Sequence, residues 1–146
     1  MKILMRVLLL FIGGVAIVSC KHSVIPLSAK EKEFESYLAK KYKCTSVISH
    51  DYYAINNSKN NGVLYLSLEN SQNEDFCTKD SLFLKKLASA IVEELLPVLS
   101  YKKNYGNVDV GFEKYIIEGT HQRGICSRIV RVNITKNRSR YIRYWY

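Results

Sequence analysis

Apolar side chains near the start of the ordered pattern recur at helical spacing: Phe34, Tyr37, Leu38 and Tyr42 fall on one face. Just before them, Ser28 and Glu31 stand three residues apart, the spacing of a capping box in which each side chain satisfies the other residue's free backbone N–H. A helix starting at Ser28 is predicted, with Glu31, Glu33 and Glu35 early and Lys40, Lys41 and Lys43 late, as the helix dipole favours. Residues 45–55 are rich in β-prone types (Val47, Ile48, Tyr52, Tyr53, Ile55) and lead into an Asn-dense stretch closing on Asn61-Gly62. Residues 63–68 then alternate strictly, placing Leu64, Leu66 and Leu68 on one side and Val63, Tyr65 and Ser67 on the other. A hairpin is expected here, its leucines facing the core.

Helical spacing returns with Leu84, Leu87, Ala88, Ile91 and Leu95, predicting a second helix over residues 79–96, capped by Asp80 or Thr78 and ended by Pro97. Beyond it the pattern is strand-like over residues 107–118, 125–135 and 140–146; in the second of these, Val130, Val132 and Ile134 alternate with Arg131, Asn133 and Thr135. Helix, hairpin, helix and two or three strands make an α+β chain in the order α-β-β-α-β-β with room for a fifth strand. The expected architecture is a two-layer sandwich with two helices on one face of a mostly antiparallel sheet.

Length and composition limit what such a chain can be. At 146 residues and 47% hydrophobic content it has material for one core, which excludes a multi-domain enzyme and a compositionally disordered chain. The net charge of +9 is unevenly placed. Lys2 and Arg6 hold two of the 22 basic residues and seven more follow Glu118, so the 13 that remain balance the 13 acids. A partner for positive charge belongs at the C-terminus.

Lys2 and Arg6 precede an uncharged apolar run of 12 residues, 7–18, which is a signal-peptide pattern too short to span a bilayer. That run closes on Ile17-Val18-Ser19-Cys20, which resembles the lipobox of bacterial lipoproteins. The resemblance covers the leader alone and implies a division into a signal peptide, 1–19, a lipid-anchored tether, 20–27, and a single α+β domain, 28–146. It further implies acyl chains on Cys20 that hold the domain to the membrane; Lys21, where an aspartate would favour the inner membrane, implies the outer membrane of the envelope. An ordinary secreted product and an uncleaved anchor are the competing readings of the same leader.

Candidate chemistry in the domain is sparse. Cys44, Cys77 and Cys126 match no zinc spacing; buried free thiols are the expectation, and an oxidising envelope also allows one disulfide with a spare thiol, the pair being unreadable. His50 and His121 could serve a Cys/His nucleophile only if folding brought them together, and nothing local supports it; His50-Asp51 reads as a surface or turn element. Glu93-Glu94 reads as a solvated face, and the scattered glycines form no phosphate loop. No cofactor, metal or catalytic residue is therefore expected.

The best site candidate is the basic-aromatic tail, Arg138, Arg140, Tyr141, Arg143, Tyr144, Trp145 and Tyr146. As a strand it would put Tyr141, Arg143 and Trp145 on one face and Arg140, Ile142, Tyr144 and Tyr146 on the other. Such a surface suits an envelope protein or glycan; the alternative is an edge strand whose arginines merely guard against aggregation. The expectation is thus a membrane-anchored, non-enzymatic binding or scaffolding domain without a nucleic-acid partner. The competing class is an enzyme acting on cell-wall or surface glycan, for which Asp109, Glu113 and Glu118 are the acids nearest the C-terminal strands.

Overall fold

The computed structural model describes residues 24–56, 59–136 and 138–143. Helix α1, Ala29–Tyr42, begins at the expected capping box: Ser28 N–H donates to Glu31 Oε2 at 2.8 Å, and Glu31 N–H donates to Ser28 Oγ at 3.3 Å. Phe34 and Leu38 are buried from this helix and Tyr42 packs against the core, whereas Tyr37 turns outward, 44% exposed, with its hydroxyl 2.8 Å from Lys41 Nζ. Strand β1, Thr45–Ser49, follows.

The β-prone run does not continue to residue 55. Helix α2, one turn from Tyr52–Ile55, replaces its second half because the Asp51 side chain accepts the Tyr53 N–H and caps that turn, leaving Tyr52 and Tyr53 exposed. Strand β2, Gly62–Glu69, then returns antiparallel beside β1 with Ile48 opposite Leu66, so the expected pair forms with a helical turn in its connection. Leu64, Leu66 and Leu68 are completely buried, as the alternation requires.

Helix α3, Ser81–Leu95, is capped by Asp80, whose carboxylate accepts the Phe83 N–H at 2.8 Å, and it ends just before Pro97. It serves as the crossover that a parallel pairing needs, since strand β3, Tyr105–Glu118, runs parallel to β2 with Leu66 opposite Val110. A turn at Gly119, with φ of 63°, joins β3 to the antiparallel strand β4, His121–Asn133; glycine accepts this left-handed backbone without a Cβ penalty. Strand β5, Arg138–Arg143, pairs antiparallel with β4.

Among the described residues the chain therefore has three helices and one open five-stranded sheet in the order β1-β2-β3-β4-β5. Three of its four pairings are antiparallel. A single apolar cluster joins Phe34 and Leu38 of α1 and Leu84, Ala88, Ile91, Val92 and Leu95 of α3 to alternate sheet residues, Leu64, Leu66, Leu68, Val108, Val110, Phe112, Val130 and Val132. Phe76, from the loop before α3, closes it against Phe112 with ring centroids 5.0 Å apart.

Candidate functional site

The expected tail strand exists and lies at the sheet edge. Arg140 stands opposite Arg131 and Ile142 opposite Ile129, while Tyr141 and Arg143 pair in backbone register with Val130 and Arg128. Arg138 and Arg140 are exposed. Tyr144, Trp145, Tyr146 and the side chains of Tyr141 and Arg143 lie outside the described residues, as does the lipobox with Cys20. What the structure brings together is a row on one sheet face: Arg138 beside Asn133, and Arg140 beside Arg131.

Arg131 is itself neutralised by Asp109, which it grips with two parallel bonds of 2.7 Å from Nε and Nη2. That pair opens a hydrogen-bonded ladder along the same face that the alternation of β2 hinted at but could not connect. Tyr65 O–H donates to Glu113 Oε1 at 2.7 Å, and Ser127 Oγ–H donates to the same oxygen at 3.2 Å. The tyrosine ring reaches across β3 because residue 111 is glycine: a Cβ there would sit 2.7 Å from the Tyr65 hydroxyl. Farther along, Tyr115 O–H and Ser67 Oγ–H donate to the two oxygens of Glu69, at 2.9 and 2.8 Å. The bond to Glu69 is the main reason the Tyr115 phenol is pushed above its ordinary range. A shallow groove of about 280 Å³ lies at this end, lined by Glu113, Tyr115, Gln122, Gly124 and Ser127 among others.

These contacts bear on Asp109, Glu113 and Glu118. The first is held by Arg131, the second accepts from Tyr65 and Ser127, and the third pairs with Arg123 at 3.1 Å. Each carboxylate works as an acceptor for a fixed neighbour.

His50 is not a surface residue. Its side chain is fully buried beside Glu31, with Nε2 3.2 Å from Glu31 Oε1 but off the line of a hydrogen bond, and its Nδ1 lies 2.8 Å from the Tyr105 hydroxyl. The Ser100 N–H donates to the same Glu31 oxygen at 2.8 Å. Burial pushes the Glu31 carboxyl up, but the bonds from Ser28 and Ser100 and the nearby imidazole outweigh it, so its pKa is lowered. Burial drives the Tyr105 phenol well above its ordinary range. This carboxylate, imidazole and phenol sequence has the order of a proton relay, yet Glu31 is 0% and Tyr105 2% exposed. It ties α1, the end of β1, the loop after α3 and the start of β3 into one knot.

The cysteines correct the expectation of free thiols. Cys77 and Cys126 form a disulfide, because the loop before α3 lies against β4; Arg128 fixes the same loop by donating to the Phe76, Cys77 and Lys79 carbonyls. Cys44 remains a thiol, raised to about 11 chiefly by burial and therefore protonated at neutral pH. Among the described residues no cluster of His, Cys, Asp and Glu could hold a metal ion. No helix there is long and apolar enough to cross a membrane. Comparison of the chain with protein-family models, curated proteins and solved structures gives no match.

Proposed function

We propose that this chain is a lipid-anchored bacterial envelope domain that binds another envelope component, without catalysing a reaction, along its C-terminal sheet edge. The observation that carries the reading is the arginine row. Arg140 stands directly across from Arg131, and Arg138 follows two residues before it on the same exposed face of an edge strand. Among the described residues neither Arg138 nor Arg140 takes part in an ion pair, whereas Arg131 across from Arg140 is held by Asp109, so the charge of this edge that calls for an anion is that of Arg138 and Arg140. A partner bearing phosphate, carboxylate or acidic glycan groups fits that demand.

The architecture that goes with this reading is a two-layer sandwich, α1 and α3 on one sheet face and the polar ladder on the other. The shared apolar cluster supports it. Cys20 supplies the anchor and the outer membrane is the destination; the disulfide suits an oxidising envelope. Confinement to a surface then raises the effective concentration of the arginine edge near its partner.

Two measurements test the proposal. Intact mass of detergent-extracted protein should show acyl chains on the natural chain and none on Cys20→Ser; an unlipidated natural product removes the anchor. Capture of envelope components should fall when Arg138 and Arg140 are both replaced by Ala in a folded protein, and unchanged capture rejects the edge as the binding site.

A further inference from the structure

The β3–β4 hairpin is longer than the sheet that holds it. Pairing of β3 with β2 ends at Glu69 opposite Glu113, and the described pairing of β4 with β5 ends at Arg128 opposite Arg143. Beyond those points the hairpin continues to Glu118 opposite His121, an arm that is two-stranded among the described residues and kinked where Ile125 is skipped between the Lys114–Cys126 and Tyr115–Gly124 pairs. It carries Ile116, Ile117 and Ile125 at 37%, 73% and 47% exposure. Isolated ribbons of this kind are marginal in water, so this one, with Ile116 and Ile117 exposed on its opposite faces, gains from a covering surface along its edge.

The position of the polar residues says what kind. The tip holds Glu118, Thr120, His121, Gln122 and Arg123, with the isoleucines behind it, the reverse of what insertion into a bilayer needs. The β3 edge of the arm reads Lys114-Tyr115-Ile116-Ile117-Glu118, a charge-palindromic segment. Set antiparallel to itself about Ile116, it brings Lys114 against Glu118 of a second copy, twice by symmetry, and Tyr115 against Ile117.

Backbone direction agrees with that register. Glu113 C=O accepts the Asn70 N–H, and Tyr115 N–H donates to the Asn70 side chain, so the odd residues of β3 turn their polar groups to this edge. By alternation Ile117 does the same, and no strand among the described residues meets it. Tyr115 and Ile117, the outward pair, are the two that the twofold arrangement places opposite each other, with the Tyr115 N–H exchanging the Asn70 side chain for the second copy's Ile117 C=O. We propose that two copies of this chain associate antiparallel through the β3 edge of this arm, with Ile116 on the twofold axis. The association stands independently of the lipid anchor and of the arginine edge on β5.

The test is charge reversal in the full chain, purified in detergent, with protein mass followed by sedimentation equilibrium in density-matched buffer. The natural chain should dimerise. Lys114→Glu and Glu118→Lys should each weaken association about tenfold, since each turns two attractive cross-strand pairs repulsive, and the double reversal should restore it to within about twofold. Within one copy each single reversal breaks one of the Lys114–Asp75 and Glu118–Arg123 pairs and the double reversal breaks both, so neither loss of those pairs nor shared micelles can produce the rescue. Thermal unfolding of each variant checks that it is folded, and Ile116→Lys, which sets two like charges on the axis, is a second route to the same dissociation. A monomer at all concentrations, association indifferent to the single reversals, or a double reversal that fails to rescue would each overturn the proposal. So would a natural monomer whose arm is instead shielded by phosphatidylcholine vesicles, which would assign it to lipid.

Discussion

The inner and outer halves of β3 share one strand and one partner strand, yet they live in different environments. From Tyr105 to Phe112 the strand is flanked on both sides and its Val108, Val110 and Phe112 are completely buried; from Lys114 to Glu118 its one strand partner among the described residues is β4, and Ile117 is 73% exposed. Apolar β-branched residues thus become core in one half and surface in the other. What decides is the number of neighbours, a property of the whole sheet.

The comparison can be pressed from its strongest side. Phe112→Ala empties a site packed against Phe76 and should cost about 3–5 kcal/mol in urea unfolding; a loss below about 1 kcal/mol would mean the inner half is not the core it resembles. Replacing both Cys77 and Cys126 by Ser frees the loop at the boundary between the halves, where Cys126 stands opposite Lys114, and should cost about 2–4 kcal/mol by the same measurement.

Glu31→Gln tests the knot at the inner end of β3. It sets an amide N–H₂ against the N–H of Ser28 or Ser100 and should cost about 1–3 kcal/mol near neutrality. Because the folded pKa of Glu31 lies below its unfolded value of about 4.5, its contribution is complete above that pH and fades as pH falls through the lowered folded value. The stability gap between natural chain and variant should therefore close on acidification, and a gap that widens would reverse the assigned shift. Smallest of all, Ile117→Ser should change monomer stability by no more than about 0.5 kcal/mol, measured at concentrations below association; a core-sized loss would show the outer half buried after all.

Much of this could be read from spacing. The Ser28 and Glu31 box, the leucines of β2, the stop at Pro97 and the opposite parity of Arg140 and Tyr141 are local patterns, and local patterns carry periodicity directly. The β-prone run 45–55 ends its strand early, at Ser49, because one Asp51 side chain outweighs the β propensity of two tyrosines and an isoleucine. Other features depend on partners far along the chain. No spacing shows that β2 runs parallel to β3, that Cys77 meets Cys126, or that Tyr65 crosses Gly111 to reach Glu113. The burial of Glu31 against His50 was hidden for the same reason, since a capping residue is usually wet. For the arginine edge, composition located the strand, and only the register revealed that Arg140 faces Arg131.

The parallel seam between β2 and β3 also sets an order in time. Hairpin β3–β4 closes through a tight turn and can form early, whereas β2 must wait for a strand that lies beyond an entire helix in the chain. During that wait Leu64, Leu66 and Leu68 have only β1 and α1 to shelter them. The N-terminal half is therefore the aggregation-exposed half of a nascent chain, and refolding should be slowed more by weakening β3 than by weakening β1.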